Sequence, residues 1–298
     1  MKNAFGLEIC EIKDVVKDKK VRETIDCAFF PVLTYLGVSL EKSRKLINDC
    51  LYLASNYLCL EEYEAQAHEI LEEQKITLKF PQKFSARAKI MYSQIEQYLL
   101  PGKVLDYGCG DGRLAEMISI NKNQEIELTD VYEHSYIKET GLPFFFFKQG
   151  TKAPFANNNF ENTLALTVYH HSNNPIETIK DTCRLTKQNG RLIVIESVYG
   201  VDGKNLSKSM QRKIESYLSL TFEQQRKVNI FFDHFYNRVL HYSEDLETKV
   251  NVPFNFNTPE KWNSIFTDCG LKQECIIHLG LDQPTVPEYH TLHILRKL

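Results

Sequence analysis

A chain of 298 residues, 43% hydrophobic and 25% charged, is long enough to bury a sizeable core and has the composition of an ordinary soluble globular protein. Its formal charge of −3 supplies no overall attraction for nucleic acid or an anionic membrane. Eight cysteines, at 10, 27, 50, 59, 109, 183, 269 and 275, form no C-x-x-C pair, which counts against a structural zinc knuckle.

The opening, MKNAFGLEICEIKD, lacks the apolar run of a signal peptide, and no apolar stretch reaches membrane-spanning length, LPFFFF included. A cytoplasmic protein with reduced thiols is expected. In SLEKSRKLINDCLYLASNYL apolar residues recur at three and four, with Ser39 placed to cap the helix and Glu41 in its first turn. EEYEAQAHEILEEQ reads as a further helix, polar over much of its surface. Residues 1–84 are thus expected to form a helical cap or a dimer-forming extension, joined to the rest at FPQKF, 80–84.

From about residue 85 helix and strand alternate. ARAKIMYSQIEQYLL is a helix stopped by Pro101-Gly102, KVLDYG a buried strand, GRLAEMISI a helix and EIELTD a second strand. LPFFFFKQ and ENTLALTVY are the third and fourth strands. NPIETIKDTCRLTKQNG is a helix closed by Gly190, and RLIVIESV the fifth strand. Roughly sixty residues then separate ESVYG from NTPEKW, too long for an ordinary connection. Their helical content predicts an inserted helical lid over about 199–257. After the helix TPEKWNSIFTDCG, the strands LKQECIIHL and YHTLHILRKL form a hairpin with a Pro-containing loop, placing an antiparallel strand at the end of the sheet. The expected fold is α/β, a doubly wound, mostly parallel seven-stranded sheet.

The decisive stretch is VLDYGCGDGRLAEMI, 104–118. A glycine turn after the first strand lets the backbone approach a ligand closely and aims amides at it. The spacing G-x-G-x-G at Gly108, Gly110 and Gly112, with Arg113 next, departs from the dinucleotide motif, and no Gly-Lys-Ser/Thr follows to make a phosphate loop. Asp106, ahead of the turn, suits an ammonium group better than a pyrophosphate. A cationic, zwitterionic ligand is the consequence.

Read this way, the stretch resembles motif I of the class I S-adenosylmethionine-dependent methyltransferases (type 11-like), and the resemblance covers roughly residues 85–298. Asp130, ending EIELTD, matches the family's ribose-binding acid, and a carboxylate there can accept from both hydroxyls. APFANNNFENTLALTVYHHSNNP and LTKQNGRLIVIE match two further family runs in order and spacing. The resemblance implies a Rossmann-like methyltransferase fold and S-adenosyl-L-methionine as cofactor. It places Gly108 and Gly110 near the methionine portion, Asp106 at its amino group, Asp130 on the ribose and Val131 against the adenine. Gln149-Gly150 stands where the family often has Asp-Ala beside the adenine amine, and Thr167, at the end of the fourth strand, joins the cofactor candidates.

His170 and His171 follow the fourth strand at the ligand edge; they read either as a general base or acceptor-positioning pair, or as a cap packed against the lid. Tyr169 beside them is a substrate candidate. In FFDHFYNR, 231–238, packing is expected of Phe231, Phe232 and Phe235, whereas Asp233 (also a catalytic candidate), His234, Tyr236 and Arg238 are harder to account for as core and are substrate candidates. The loop GLDQPTVPEYH, 280–290, adds Asp282, Gln283, Glu288 and His290 as substrate candidates, with a rigid surface loop as the rival reading. The scattered histidines lack a compact ligand spacing, so no metal is expected.

The expected function is methyl transfer to an O, N or C atom of an enclosed small-molecule acceptor, with secondary metabolism as one setting. Two rivals stay open: a cofactor-binding protein of this fold that does not methylate, such as a cyclase-like catalyst or a binding partner, and a nucleic-acid or protein methyltransferase. The near-neutral charge argues against nucleic acid as partner, nothing points to a membrane, and a homodimer through the N-terminal helices is one arrangement.

Overall fold

The computed structural model describes residues 9–57, 59–204, 206–244 and 249–298, apart from the side chains of residues 9, 81 and 82. The first eight residues of the opening segment and part of the expected lid, 205 and 245–248, lie outside the described residues. Along the chain come α1 (Ile9–Lys17), α2 (Lys19–Tyr35), α3 (Leu40–Asn56), α4 (Leu60–Glu73), α5 (Pro81–Ile95), β1 (Val104–Tyr107), α6 (Arg113–Lys122), β2 (Ile126–Asp130), α7 (Ile137–Thr140) and β3 (Phe144–Phe146). They are followed by β4 (Phe160–Leu166), α8 (Pro175–Leu185), β5 (Thr186–Ser197), α9 (Lys208–Lys213), α10 (Glu215–Leu218), α11 (Phe222–His234), α12 (Pro259–Asp268), β6 (Leu271–Gly280) and β7 (His290–Lys297). No helix among the described residues is long and apolar enough to cross a membrane, and all eight cysteines are free.

The chain divides into two units. The first comprises 1–82, 197–258 and 278–290. Its helices start where the sequence places caps: Ser39 accepts the Lys42 amide at α3, and Thr221 forms a capping box with Gln224 at α11. Phe29 of α2 packs against Phe231, Phe232 and Phe235, with ring centroids 6.3, 5.9 and 4.6 Å away, so the aromatic stripe is core. Beyond His234 the helix widens into a π-helical segment, Phe235–Leu240, a departure from the regular three-and-four spacing.

On α4, otherwise polar over much of its surface, Glu64 faces inward and is fully buried. Its carboxylate meets His234 Nε2 at 3.0 Å, Arg238 Nε at 3.1 Å and Lys249 Nζ at 3.3 Å. Partners from α11 and beyond make that burial tolerable, because a buried charge must be paired.

The second unit comprises 83–196, 259–277 and 291–298. The seven-stranded sheet has the order β3-β2-β1-β4-β5-β7-β6. The adjoining pairs from β3 through β5 are parallel, with Asp106 opposite Leu128 on one side and Leu164 on the other. Every residue of β1 is buried, as a central strand covered on both faces requires. The carboxyl ends of β1, β2, β4 and β5 therefore share one edge.

The helix expected to run to Gly190 ends at Leu185. Thr186 turns extended (φ −68°, ψ 136°), its amide and its hydroxyl both donate to the Thr182 carbonyl, and it pairs with Phe160 as the start of β5. Asn189 (φ 62°) carries the chain through a register shift, and a Cβ on Gly190 would lie within 3 Å of the Lys187 and Glu161 carbonyls. That glycine serves a close backbone approach in a strand, not a helix stop.

Candidate active site

After β1 the chain turns through Gly108, Gly110 and Gly112, whose φ values of 74°, 55° and 76° lie in the left-handed region. Side chains there would cost about 1–2 kcal/mol each. A Cβ on Gly108 would sit 2.6 Å from Val168 Cγ2, so the turn lies close against the chain leaving β4. A Cβ on Gly110 would meet nothing within 4 Å, so space is open there.

The amides of this turn are not aimed outward as the sequence suggested. Gly108 and Cys109 donate to the Thr129 carbonyl at 2.8 and 3.2 Å, and Gly110 donates to Asp130 Oδ2 at 2.9 Å. The turn is stitched to the end of β2, and these three donors are occupied. A phosphate cradle needs such amides pointing at the ligand. Arg113 is likewise engaged, with Nη1 2.6 Å from Asp111 Oδ2 and the guanidinium 3.7 Å from the centroid of the Tyr136 ring.

Beneath the turn, Asp106 is 3% exposed and its carboxyl meets no hydrogen-bond partner among the described residues. Burial, reinforced by the negative charges of Asp130 and Asp111, pushes it up to about 7. Asp130 is also pushed up by desolvation, to about 6, although the amides of Gly110, Val131 and Tyr132 pull the other way. Its Oδ1 accepts from Val131 and Tyr132 at 2.7 and 3.3 Å, which fixes the carboxylate at the end of β2. Val131 is 40% exposed. Gln149 and Gly150 (φ 80°) are exposed at the centre of a turn after β3, closed by the Thr151 amide on the Lys148 carbonyl at 3.0 Å.

At the end of β4, Thr167 has φ 59°, an uncommon state for a β-branched residue, held by its amide on the Ile195 carbonyl at 2.6 Å. Arg87 of α5 donates to the Thr167 hydroxyl at 3.3 Å. Tyr169–His171 then form a single 3-10 turn. Glu196, fully buried at the end of β5, accepts from the amides of Val168, Tyr169 and His170 and lies 2.6 Å from His170 Nδ1. Burial pushes the Glu196 carboxyl up to about 7 despite those amides. The His171 ring is 4.1 Å from that of His170. Tyr169 is engaged otherwise: fully buried, its hydroxyl 2.8 Å from Thr182 Oγ1, its ring against Trp262 and Phe266 of α12.

The remaining candidates belong to the first unit. Asp233 is 2% exposed and accepts from Asn237 Nδ2 at 2.8 Å. The His234 ring stacks on Tyr63 and its Nε2 faces Glu64, while Tyr236 is half-buried with its ring near Phe80 and His241. Between β6 and β7, Asp282 Oδ1 is 2.7 Å from His290 Nδ1, and buried Glu288 accepts from the Ser197 hydroxyl.

The structure thus gathers Asp106, Gly108, Gly110, Asp130, Val131, Thr167, His170 and His171 on strand ends along one edge of the second unit's sheet. His234 and Tyr169 have side chains committed to neighbours within their own units. Two residues at the edge went unread in the sequence, Arg87 and Glu196. An acid closing the apolar strand RLIVIE was the available signal for Glu196; Arg87, on an amphipathic helix, offered none.

Residues 105–194 match the profile of a methyltransferase domain family. No curated protein sequence matches the chain. Solved structures similar in fold include an S-adenosylmethionine-dependent methyltransferase from Methanosarcina mazei, at 18% identity and TM-score 0.47, over 70% of this chain and 98% of that one. Another, from Aquifex aeolicus, has 13% identity and TM-score 0.43, over 72% and 98%. The 4+2 cyclase SpnF has 12% identity and TM-score 0.44, over 72% and 80%. The strand order, the glycine turn after β1 and the acid after β2 define a class I methyltransferase fold. The family match is confined to residues 105–194 and identifies a methyltransferase domain there.

Proposed function

We propose that the chain transfers a methyl group from S-adenosylmethionine to an O, N or C atom of a small molecule. The observation that carries this reading is the buried, unpartnered carboxyl of Asp106 under a glycine turn whose amides are committed to β2. Such a pocket disfavours a polyphosphate and suits an ammonium group, which would restore the negative charge that burial suppresses in Asp106. Asp130 keeps lone pairs for the ribose hydroxyls beyond its three amide bonds. The open space at Gly110 admits close contact along the backbone.

When bound, the cofactor supplies a methyl group on a positively charged sulfur. The protein's work is then alignment, exclusion of water and management of the acceptor's proton. His170, held by Glu196, and His171 beside it are the proposed proton-handling groups of the second unit, with Asp233 as a further catalytic candidate. Acceptor choice is assigned to residues of the first unit. The net charge of −3 supports a small acceptor over nucleic acid.

Titration calorimetry with S-adenosylmethionine tests the reading, with one site per chain expected and loss of binding in Asp106→Ala. A metabolite screen for consumption of methyl-labelled cofactor then identifies the acceptor. Tight binding of NADH with no response to S-adenosylmethionine overturns it.

A further inference from the structure

The loop from β6 to β7 contains a polar anomaly. His290 is 0% exposed and Gln283 2%, yet His290 Nε2 and both carboxamide atoms of Gln283 meet no hydrogen-bond partner among the described residues. Leaving a buried polar atom unpaired costs about 1–3 kcal/mol, and such atoms in native proteins call for a reason. Several polar groups around them are paired. Ser197 donates to Glu288, His278 Nδ1 lies 2.9 Å from the Tyr289 hydroxyl, and Asp282 Oδ1 lies 2.7 Å from His290 Nδ1. Pro284 and Pro287 stiffen the loop, and the Val286 amide closes a turn onto the Gln283 carbonyl at 3.3 Å.

Asp282 defines what can fill the gap. A carboxylate only accepts, so the hydrogen sits on His290 Nδ1. In the neutral ring Nε2 is then an acceptor, and in the protonated ring a donor. A hydroxyl, which both donates and accepts, satisfies either state, and the Gln283 carboxamide can take a second polar group by either end.

We propose that Asp282, Gln283 and His290 form a preorganised binding site in the first unit for a hydroxyl-bearing small molecule, with Asp282 as the residue that positions the imidazole. The site stands on its own observations and does not depend on the methyl-transfer reading. Its rigidity lowers the ordering cost of binding.

Phenol serves as probe and benzene as its match without the hydroxyl, on the full chain. Ligand-observed NMR is expected to show at least about a tenfold preference for phenol, the worth of one hydrogen bond made to an otherwise unpaired buried group. The His290 Nε2 nitrogen resonance should shift on adding phenol. His290→Phe and Gln283→Leu should each abolish the preference, and Asp282→Asn should weaken it while altering the ring's tautomer in the nitrogen spectrum. Should His290→Phe fail to fold, Gln283→Leu carries the same test. Equal binding of phenol and benzene, a preference that survives both substitutions, or an ordered water that phenol does not displace overturns the proposal. Cofactor calorimetry on the same preparations keeps the two readings apart, since both variants should bind S-adenosylmethionine like the wild type.

Discussion

Asp130 Oδ2 accepts the Gly110 amide at 2.9 Å, so the acid that ends β2 also holds the turn that follows β1. Replacing Asp130 by Ala removes both the proposed ribose partner and this tether, and should weaken S-adenosylmethionine binding by about 1–3 kcal/mol. Asp130→Asn keeps one acceptor oxygen and should lose less. Calorimetry on both variants checks the order; an unchanged dissociation constant in Asp130→Ala would assign the acid to another role.

The two carboxyls at this edge make cofactor affinity depend on pH. Asp106 titrates near 7 and Asp130 near 6, both above the ordinary carboxylate range. A carboxyl raised in the folded protein contributes stability at low pH, and loses that contribution as pH rises through the raised value. Ionised Asp106 is thus disfavoured in the free protein at neutral pH, and the proposed ammonium partner would offset that. Affinity should fall as pH drops below about 7, by up to about tenfold per unit, with proton release on binding near that pH. Binding heats in buffers of different ionisation enthalpy measure that release, and a flat profile from 8 down to about 6 would sink the assignment of Asp106.

Gly108 and Gly110 should fail in different ways. Gly108→Ala brings a Cβ to 2.6 Å from Val168 Cγ2, so the protein itself should lose stability, and Val168→Ala should recover part of it. Gly110→Ala meets no protein atom, so its stability loss should stay near the backbone cost of about 1–2 kcal/mol, with a further loss confined to cofactor binding. Thermal melting with and without S-adenosylmethionine separates the two; identical ligand-induced shifts in Gly110→Ala and wild type would refute the open space as a ligand approach.

Acid should loosen the first unit through Glu64. Desolvation raises its carboxyl, but the hydrogen bond from His234 and the charges of His234, Arg238 and Lys249 outweigh it, so the net shift is downward. Burial shifts His234 downward as well, against the upward pull of the Glu64 hydrogen bond and charge. A depressed carboxyl and a depressed imidazole both contribute stability above their unfolded values and lose it as pH falls, His234 first, below about 6.5, and Glu64 below about 4.5. Glu64→Gln leaves Arg238 and Lys249 without their buried acid and should cost about 3–5 kcal/mol. Denaturant titration of Glu64→Gln reads this directly; a variant as stable as wild type would mean that the cations find other partners.

Local signals made much of the molecule legible. Ser39 at the head of an amphipathic run, Pro101-Gly102 after one, and a glycine turn after a short buried strand each act within a few residues, so the sequence window contains their cause. Glu64 escaped because its partners lie 170, 174 and 185 residues away. Glu196 escaped for a similar reason, since the amides it accepts come from the turn 26 to 28 residues earlier. The overrun of α8 to Gly190 is a different case. Helical and extended readings of Thr186 through Asn189 are locally balanced, and pairing of Thr186 with Phe160 decides between them. The inward turn of the Gly108–Gly110 amides was hidden because it depends on where β2 ends.

The two units divide the candidate residues between them. Every cofactor candidate from Asp106 to Thr167 lies in the 83–196 stretch of the second unit, and Asp233, Asp282, Glu288 and His290 lie in segments of the first. Substitutions in the two sets can therefore be made separately, those of the second unit read by cofactor binding and those of the first by turnover. A chimera should exchange 197–258 and 278–290 together, because exchanging either piece alone would part Ser197 from Glu288.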